Sequence, residues 1–299
     1  MKIREAVFFI ASSIASIYDE GEAESIAKLL AEHITGYEPA QLLLKKDEFQ
    51  AELSKENLQP FIERLLKHEP IQYIMKKAWF YGLELYIEPW VLIPRPETEE
   101  LVDWVIKDIK ASGKEVFEKK PFHPDETTSL KIMDVCTGSG CIALALKKTM
   151  PLAEVWGCDI SDEAMNIARR NGSSLDIRVD FQGLDFLDYH QHAFLPSVDI
   201  AVCNPPYVPM QDKGEMKANV LDFEPHIALF VKDKDPLVFY RALAQYCVHR
   251  LHPHGKVYME VHEKLAGNVA EIFRELNYSV TIRTDMQGKE RMVRAMRLN

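Results

Sequence analysis

The chain has 299 residues, of which 47% are hydrophobic and 27% charged, a composition typical of a globular protein with room for two domains. No apolar run reaches the length that a membrane-spanning helix requires, so we expect no membrane partner. The formal net charge of −10 and the lack of a Lys/Arg block disfavour a nucleic-acid-binding protein.

The amino-terminal segment, residues 1–20, has a short apolar centre that Glu5 interrupts, so we interpret it as an amphipathic helix and expect a cytoplasmic protein. The histidine pairs at 190–192 and 252–254 have an i, i+2 spacing in loop-like sequence, so we predict solvated loops and no metal site. We expect the cysteines to be buried thiols of a reducing compartment; they are Cys136, Cys141, Cys158, Cys203 and Cys247.

The first part of the chain, to residue 68, predicts a small helical bundle. Apolar residues recur at helical spacing in residues 4–18, 22–36 and 57–70. Gly36 suits the end of the second helix, and Pro60 suits the first turn of the third. Shorter helical pieces are expected between Pro39 and Ser54. No catalytic constellation occurs here, so we expect this bundle to bind a partner or to cap the rest of the chain.

The pattern changes after this bundle. Aromatic and β-branched residues around a glycine predict a β-hairpin over residues 78–88. A helix then begins near Thr98, which we take as its N-cap because acidic residues follow it. Residues 111–129 are polar and predict a surface loop.

Strands and helices alternate through the rest of the chain, which predicts a mostly parallel sheet with helices on both faces and a ligand at the carboxyl ends of the strands. The predicted strands are residues 130–135, 153–160, 177–183, 198–203, 255–261, 278–284 and 290–298. The predicted helices are residues 140–149, 161–172, 235–251 and 264–277.

A glycine loop follows the first of these strands. Gly138, Gly140 and Ala143 form a G-x-G-x-x-A pattern between strand and helix, where a ligand can approach the backbone at a helix N-terminus. Asp159 closes the next strand and can accept hydrogen bonds from a ribose. These features fit a dinucleotide dehydrogenase and an S-adenosylmethionine-dependent methyltransferase equally well. Asp134 favours the methyltransferase, because it would repel a pyrophosphate and tolerate a cationic sulfonium.

The segment "CNPPY" ends the fourth strand and carries the chemistry. Its prolines cannot extend a sheet, so a stiff loop must begin at Asn204. An amide nitrogen is a weak nucleophile. As positive charge develops on this nitrogen, its N–H groups need hydrogen-bond acceptors. The Asn204 side-chain oxygen and the Pro205 carbonyl supply two such acceptors, and we expect the Tyr207 ring to pack on the planar target. No strong base is required, since positioning and fixed dipoles supply most of the catalysis.

With these motifs, the chain resembles the HemK/PrmC family of protein glutamine methyltransferases over nearly its whole length. The shared segments are "EPIQYI" (69–74), "VLIPRPETEELV" (91–102), "DVCTGSGCIALAL" (134–146), "CNPPYV" (203–208) and "FEPHIALF" (223–230). The "IPRPETE" segment distinguishes this family from the DNA adenine methyltransferases that share "NPPY".

The resemblance implies the class I S-adenosylmethionine-dependent methyltransferase fold, α/β with a mostly parallel seven-stranded sheet, preceded by a small all-α domain. It implies methyl transfer from S-adenosylmethionine, leaving S-adenosylhomocysteine, to the glutamine amide in the Gly-Gly-Gln motif of class-I peptide-chain release factors. It also divides the chain into a helical substrate-docking domain (1–68), a β-hairpin linker (69–92) and a catalytic domain (93–299). We expect a monomer without a nucleic-acid partner.

The family's functional residues carry over to the matching positions. Residues 136–140 would hold the methionine part of the cofactor, Asp159 the ribose, and Asp185 with Phe186 the adenine. The implied cofactor set is Asp134, Cys136, Thr137, Gly138, Ser139, Gly140, Asp159, Asp185, Phe186 and Asn204. The implied catalytic set is Asn204, Pro205, Pro206 and Tyr207.

The chain departs from the family pattern at several positions, and three other functions stay open. Cys136 is bulkier than the usual small residue, Phe186 lacks a hydrogen-bonding edge, and Pro236 and residues 260–265 replace more glycine-rich sequence. The nearest alternative is a methyltransferase acting on a glutamine of a ribosomal protein. The others are a DNA or RNA adenine methyltransferase and a non-catalytic binder that retains the fold.

Overall fold

The structure is a computed structural model that describes residues 1–113 and 129–298. Most of the surface loop predicted for residues 111–129 lies outside the described residues. The described chain forms two compact units: Met1–Lys77 with Lys217–Phe223, and Ala78–Met216 with Glu224–Asn299. Within the described residues, no helix is both long and apolar enough to span a membrane.

The α-helices are α1 Ile3–Ile14, α2 Glu20–Thr35, α3 Pro39–Leu44, α4 Lys55–Leu65, α5 Ile71–Met75, α6 Pro96–Ala111, α7 Cys141–Thr149, α8 Asp162–Ser174, α9 Ala218–Phe223, α10 His226–Leu229, α11 Val238–Arg250 and α12 Ala266–Arg274. The strands are β1 Lys77–Phe80, β2 Leu83–Tyr86, β3 Lys131–Val135, β4 Glu154–Asp159, β5 Asp180–Gly183, β6 Val198–Cys203, β7 Val208–Pro209, β8 Phe230–Val231, β9 Leu251–Glu260, β10 Tyr278–Thr284 and β11 Glu290–Arg297.

The first unit is helical, as predicted. One face of α1 is buried at helical spacing, through Ile3, Ala6, Ile10 and Ile14. Gly36 ends α2 in the left-handed conformation at φ 68°, which confirms its predicted role. The prediction for Pro60 was wrong. Helix α4 begins at Lys55, because the Ser54 side chain caps it by accepting from the Asn57 N–H, so Pro60 lies inside the helix.

The predicted hairpin is confirmed as β1 and β2. Two residues join the strands, Tyr81 at φ 47° and Gly82 at φ 71°. A two-residue turn with both φ angles positive matches the right-handed twist of the flanking strands.

The second unit is built on one seven-stranded sheet, in the order β10-β11-β9-β6-β3-β4-β5. The pairs β9-β6, β6-β3, β3-β4 and β4-β5 are parallel, and β10 and β11 add antiparallel strands at one edge. The predicted mostly parallel sheet is therefore confirmed. Because β3 lies between β4 and β6, the carboxyl ends of these three strands meet at one edge of the sheet.

The sheet has an apolar core on each face. Ile132 of β3 packs with α6 and α7 on one face, and Met133 packs with α11 and α12 on the other, as strand alternation requires. Several predicted boundaries shift: β5 is shorter than expected, and β9 begins at Leu251.

The predicted N-cap of α6 was wrong. The helix begins at Pro96, with Arg95 in the N-cap position, so Thr98 is its third residue. Proline has no N–H to satisfy and a fixed helical φ, which favours a helix start at that residue. The Thr98 hydroxyl donates instead to the Glu260 carboxylate, at the end of β9.

Candidate active site

A cavity of about 270 Å³ lies at the carboxyl ends of β3, β4 and β6. It is the place where an open parallel sheet binds its ligand. The predicted site residues that line the cavity are Cys136, Thr137, Gly138, Ser139, Asp159, Asp185, Phe186, Asn204 and Pro206. Four predicted residues do not line it: Asp134, Gly140, Pro205 and Tyr207.

The glycine loop, residues 136–140, forms one wall of the cavity. Cys136, Gly138 and Gly140 all have positive φ angles, of 60°, 53° and 82°. A β-carbon on Gly138 would meet no atom of the described residues within 4 Å, so the backbone there is open to a ligand. A β-carbon on Gly140 would lie 3.0 Å from the Phe181 ring, which requires glycine for packing against the protein.

Asp134 supports this loop from behind. It is fully buried and accepts from the Thr137 hydroxyl at 2.5 Å and the Ala143 N–H at 3.2 Å. Burial raises the pKa of Asp134 to about 7, and its Oδ1 has no hydrogen-bond partner among the described residues. The structure therefore gives Asp134 a bracing role, and its predicted attraction for a cationic ligand stays a prediction.

Asp159 connects the end of β4 with the loop. Its Oδ2 accepts from the Gly138 N–H at 2.9 Å, and its Oδ1 accepts from the Ser161 N–H at 3.1 Å. Burial raises the pKa of Asp159 above its ordinary value, while these N–H groups favour the ionised form. A carboxylate has about four acceptor positions, so Asp159 can still accept from a ligand hydroxyl.

Asn171 is a second brace of the loop, and the sequence analysis missed it. Its side chain lies on the buried face of α8 and donates to the Ser139 carbonyl at 3.0 Å. It also accepts from the Tyr86 N–H and donates to the Tyr86 carbonyl, which ties β2 to the loop. A single amide on an otherwise apolar helix face was the signal that could have revealed it.

Residues 184–187 close another side of the cavity. Phe186 packs on the rings of His192 and Tyr246, at centroid distances of 4.6 and 5.7 Å. The His192 Nε2 lies 2.8 Å from the Phe186 carbonyl, and the Leu187 N–H donates to the Asp185 carboxylate. These contacts hold a flat, apolar wall of the kind that stacks against a nucleobase.

Asn204 lines the cavity immediately after β6. Its Nδ2 donates to the Thr98 hydroxyl at 3.0 Å, and Thr98 donates to Glu260 Oε2 at 2.6 Å. The Tyr207 hydroxyl donates to Glu260 Oε1 at 2.9 Å. The prediction that the Tyr207 ring packs on the target finds no support, because Tyr207 lies outside the cavity wall and anchors its loop to Glu260 instead.

The segment before α6 forms another wall of the cavity. Glu224 is buried and accepts from Arg95 at 2.5 Å and from the Ile93 N–H at 3.3 Å. Burial raises the pKa of Glu224, and the Arg95 charge opposes that shift. This ion pair holds residues 91–95 against Glu224 of the "FEPHIALF" segment, and Val91, Leu92, Pro94 and Arg95 line the cavity.

These residues fit S-adenosylmethionine. The open backbone at Gly138 suits a methionine chain. The acceptor capacity that Asp159 retains suits a ribose, and the apolar wall at Phe186 suits an adenine. Among the described residues, no hydrogen-bond partner is found for the buried Oδ1 of Asp134. In the described ranges 1–113 and 129–298, no group of three or more His, Cys, Asp or Glu residues could hold a metal ion.

Two family models match parts of this chain. A family model described as the PrmC N-terminal domain matches residues 10–75, and one described as a methyltransferase domain matches residues 132–222. The solved hMettl16 catalytic domain shares 18% identity and a TM-score of 0.55, covering 73% of this chain and 77% of its own, which supports the fold alone.

Curated relatives match most of the chain. A release factor glutamine methyltransferase of Bacteroides thetaiotaomicron is 39% identical, covering 97% of this chain and 98% of its own. One of Flavobacterium psychrophilum is 36% identical, with 94% of each chain covered. One of Streptococcus pneumoniae is also 36% identical, over 83% of this chain and 82% of its own. This chain belongs to the family of release factor glutamine methyltransferases.

Proposed function

We propose that this protein transfers a methyl group from S-adenosylmethionine to the side-chain amide nitrogen of the Gly-Gly-Gln glutamine in class-I peptide-chain release factors. One observation carries the proposal: Asn204 shares its cavity with the glycine loop of the adjacent parallel strand, and its Nδ2 is already bonded to Thr98. With the NH₂ end of Asn204 turned toward Thr98, its Oδ1 end would face the glutamine amide that receives the methyl group.

The cofactor would be held by the residues that line the cavity. The glycine loop would hold the methionine part, Asp159 the ribose, and Asp185 with Phe186 the adenine. When bound, S-adenosylmethionine supplies an electrophilic methyl group on a sulfonium. The protein's share is to bind and orient this group and to exclude water from it.

The acceptor amide would be held by the "NPPY" loop. Asn204 Oδ1 and the Pro205 carbonyl would each accept one N–H of the glutamine side chain, which keeps its nitrogen oriented as positive charge develops. The two prolines hold these acceptors on stiff backbone. Positioning of this kind can supply up to about 7–11 kcal/mol of a barrier, so no strong base is needed.

The helical residues 1–68 would dock the release factor, with residues 69–92 as linker and residues 93–299 as catalytic domain. Release factors work on ribosomes, so the same proposal assigns the enzyme to the cytoplasm. It includes a monomeric enzyme with no direct nucleic-acid partner.

Mass spectrometry of a purified class-I release factor, incubated with enzyme and S-adenosylmethionine, tests the proposal. We expect one added methyl on the Gly-Gly-Gln glutamine, and far slower addition with the Asn204→Ala variant over the same incubation. Parallel assays measure tritiated-methyl transfer to ribosomes and to duplex DNA. Label on ribosomes alone or on DNA alone would reject the proposed substrate.

A further inference from the structure

We propose that Thr98 and Glu260 form a hydrogen-bond relay that fixes the orientation of the Asn204 amide, so that its oxygen and not its nitrogen faces the acceptor. The inference rests on the proposed function in one respect, namely that a glutamine amide enters the cavity. The two residues act as positioning residues, because neither Thr98 Oγ1 nor Glu260 is free to act on the acceptor directly.

The relay joins three distant parts of the chain. Asn204 Nδ2 lies 3.0 Å from Thr98 Oγ1, and Thr98 Oγ1 lies 2.6 Å from Glu260 Oε2. Thr98 belongs to α6 and Glu260 to the end of β9, and both are buried, at 2% and 1% exposure. A second hydroxyl, on Tyr207, donates to the other carboxylate oxygen at 2.9 Å.

The single proton of the Thr98 hydroxyl determines the direction of every bond in the relay. An ionised carboxylate only accepts, so Thr98 must donate to Glu260. Having donated its proton, Thr98 can only accept from its other neighbour. That neighbour must therefore be the NH₂ group of Asn204, which leaves the carbonyl oxygen of Asn204 for the cavity.

The alternative orientation would oppose the reaction. The two ends of an asparagine amide have nearly the same shape, so packing alone does not choose between them. A reversed Asn204 would present N–H donors to the N–H donors of a glutamine amide. Facing N–H donors cannot bond to each other, so these polar groups stay unpaired at a cost of roughly 1–3 kcal/mol for each group.

The relay also predicts a pH dependence, because it needs Glu260 in its ionised form. In the described part of the chain, the titratable groups that interact electrostatically with Glu260 include Glu97 on α6, Cys141 on α7, Tyr207 on its loop, Tyr240 on α11 and Arg291 on β11. Burial raises the pKa of Glu260, whereas the Thr98 and Tyr207 hydroxyls and the Arg291 charge lower it.

Tyr207→Phe removes one of these hydrogen-bond donors, so the pKa of Glu260 should rise. The acid limb of the pH profile of kcat should then move to higher pH. Tyr258→Phe is the matched control, because the Tyr258 hydroxyl donates at 2.7 Å to a different carboxylate, Asp108. We expect no movement of the limb in the control. An unmoved limb in Tyr207→Phe would contradict the ionised relay.

The direct test compares Thr98→Val with Thr98→Ser. Valine keeps the shape and removes the hydroxyl, so kcat should fall by roughly 10–100-fold, the cost of an unpaired buried group. Affinity for S-adenosylhomocysteine, measured by calorimetry, should stay within about twofold, since the Thr98 hydroxyl bonds to Glu260 and Asn204 and not to the glycine loop, Asp159 or Phe186. Serine restores the hydroxyl and should recover most of kcat. A Thr98→Val enzyme with the kcat of the parent would overturn the relay.

Glu260→Met tests the relay from its other end if Thr98→Val does not fold. Methionine fills a similar volume without a buried charge, a change that proteins often tolerate. The Thr98 proton is then free to point at Asn204, so kcat should fall by at least about tenfold. Parent-like kcat in a folded Glu260→Met enzyme would also overturn the relay.

A measurement without substrate separates this inference from the proposed function. In protein labelled with ¹⁵N-asparagine, the side-chain NH₂ signals of Asn204, identified by their loss in Asn204→Ala, should shift in Thr98→Val and stay in Tyr258→Phe. Unshifted signals in Thr98→Val would refute the relay even if the release factor is methylated. Shifted signals with no transfer by the parent enzyme would refute only the proposed function.

Discussion

The glycine loop (136–140) and the "NPPY" loop (204–207) solve the same structural problem in opposite ways. Each follows one of two paired parallel strands, β3 and β6, and each is braced by a buried carboxylate, Asp134 or Glu260. The glycine loop offers backbone and depends on three positive φ angles. The "NPPY" loop has a stiff backbone, and in the proposed mechanism its key group is the Asn204 side chain, which is hydrogen-bonded to Thr98 from elsewhere in the unit.

This difference determines what each loop tolerates. A site made of backbone should keep its ligand affinity when a substitution leaves φ unchanged. It should lose affinity when a substitution changes φ or fills the space beside the backbone. A site made of one oriented side chain should fail when that side chain or its partners change. The same substitutions should therefore separate cofactor affinity from methyl transfer.

The largest effect is expected from Asn204→Ala. Loss of the oriented acceptor should lower kcat by roughly 10²–10³-fold, as loss of one preorganised group does in other active sites. Cofactor affinity should stay within about tenfold, because the glycine loop and Asp159 remain intact. Transfer assays and calorimetry on one preparation check both numbers. Undiminished turnover would contradict the role of Asn204.

Asp159→Ala should produce the opposite pattern. A ribose loses its charged acceptor and Gly138 loses the partner of its N–H, so cofactor affinity should fall roughly 10–100-fold, the value of a charge-assisted hydrogen bond. At saturating cofactor, kcat should recover to near the parent value. Unchanged affinity by calorimetry would remove Asp159 from the cofactor site.

Gly138→Ala adds a methyl group to the open backbone of the cavity, and cofactor affinity should fall roughly tenfold, equal to about 1.4 kcal/mol. Gly288→Ala is the matched control, since Gly288 also has a positive φ, of 82°, and the added carbon has no neighbour within 4 Å in the part of the chain that the structure describes. Both variants should lose similar thermal stability from the strained φ. Equal cofactor affinity in the two variants would argue against a ligand at Gly138.

The smallest effect is expected from Cys136→Gly. Cys136 holds φ 60°, a strained value for a residue with a β-carbon. Glycine relieves that strain, so the melting temperature should rise slightly, and cofactor affinity should change by less than about threefold. A large loss of affinity would show that the Cys136 side chain, and not the backbone, makes the contact.

Local patterns in the sequence were sufficient to predict most of the fold. Alternating apolar strands and helices gave the parallel sheet, and the glycines and prolines that follow β3 and β6 marked the loops of the site. Each of these signals lies within a few neighbouring residues. The boundary errors, as at β5 and α4, occurred where capping or pairing depends on residues outside the pattern.

The braces of the site could not be predicted, because their partners are far apart in the sequence. Thr98 and Glu260 are 162 residues apart, Thr98 and Asn204 are 106 apart, and Asn171 bonds to Tyr86 across 85. Thr98 in particular resembled an N-cap, a local role, because its long-range acceptor was unknown. Glu260 did give a signal, as a lone carboxylate in the buried run Val257–Val261.

The most direct test of the account is a crystal structure of the enzyme with S-adenosylhomocysteine and a peptide that contains Gly-Gly-Gln. We expect the glutamine side-chain nitrogen within hydrogen-bond distance of Asn204 Oδ1, with Asn204 Nδ2 still bonded to Thr98. A glutamine held away from residue 204, or facing its Nδ2, would contradict the account.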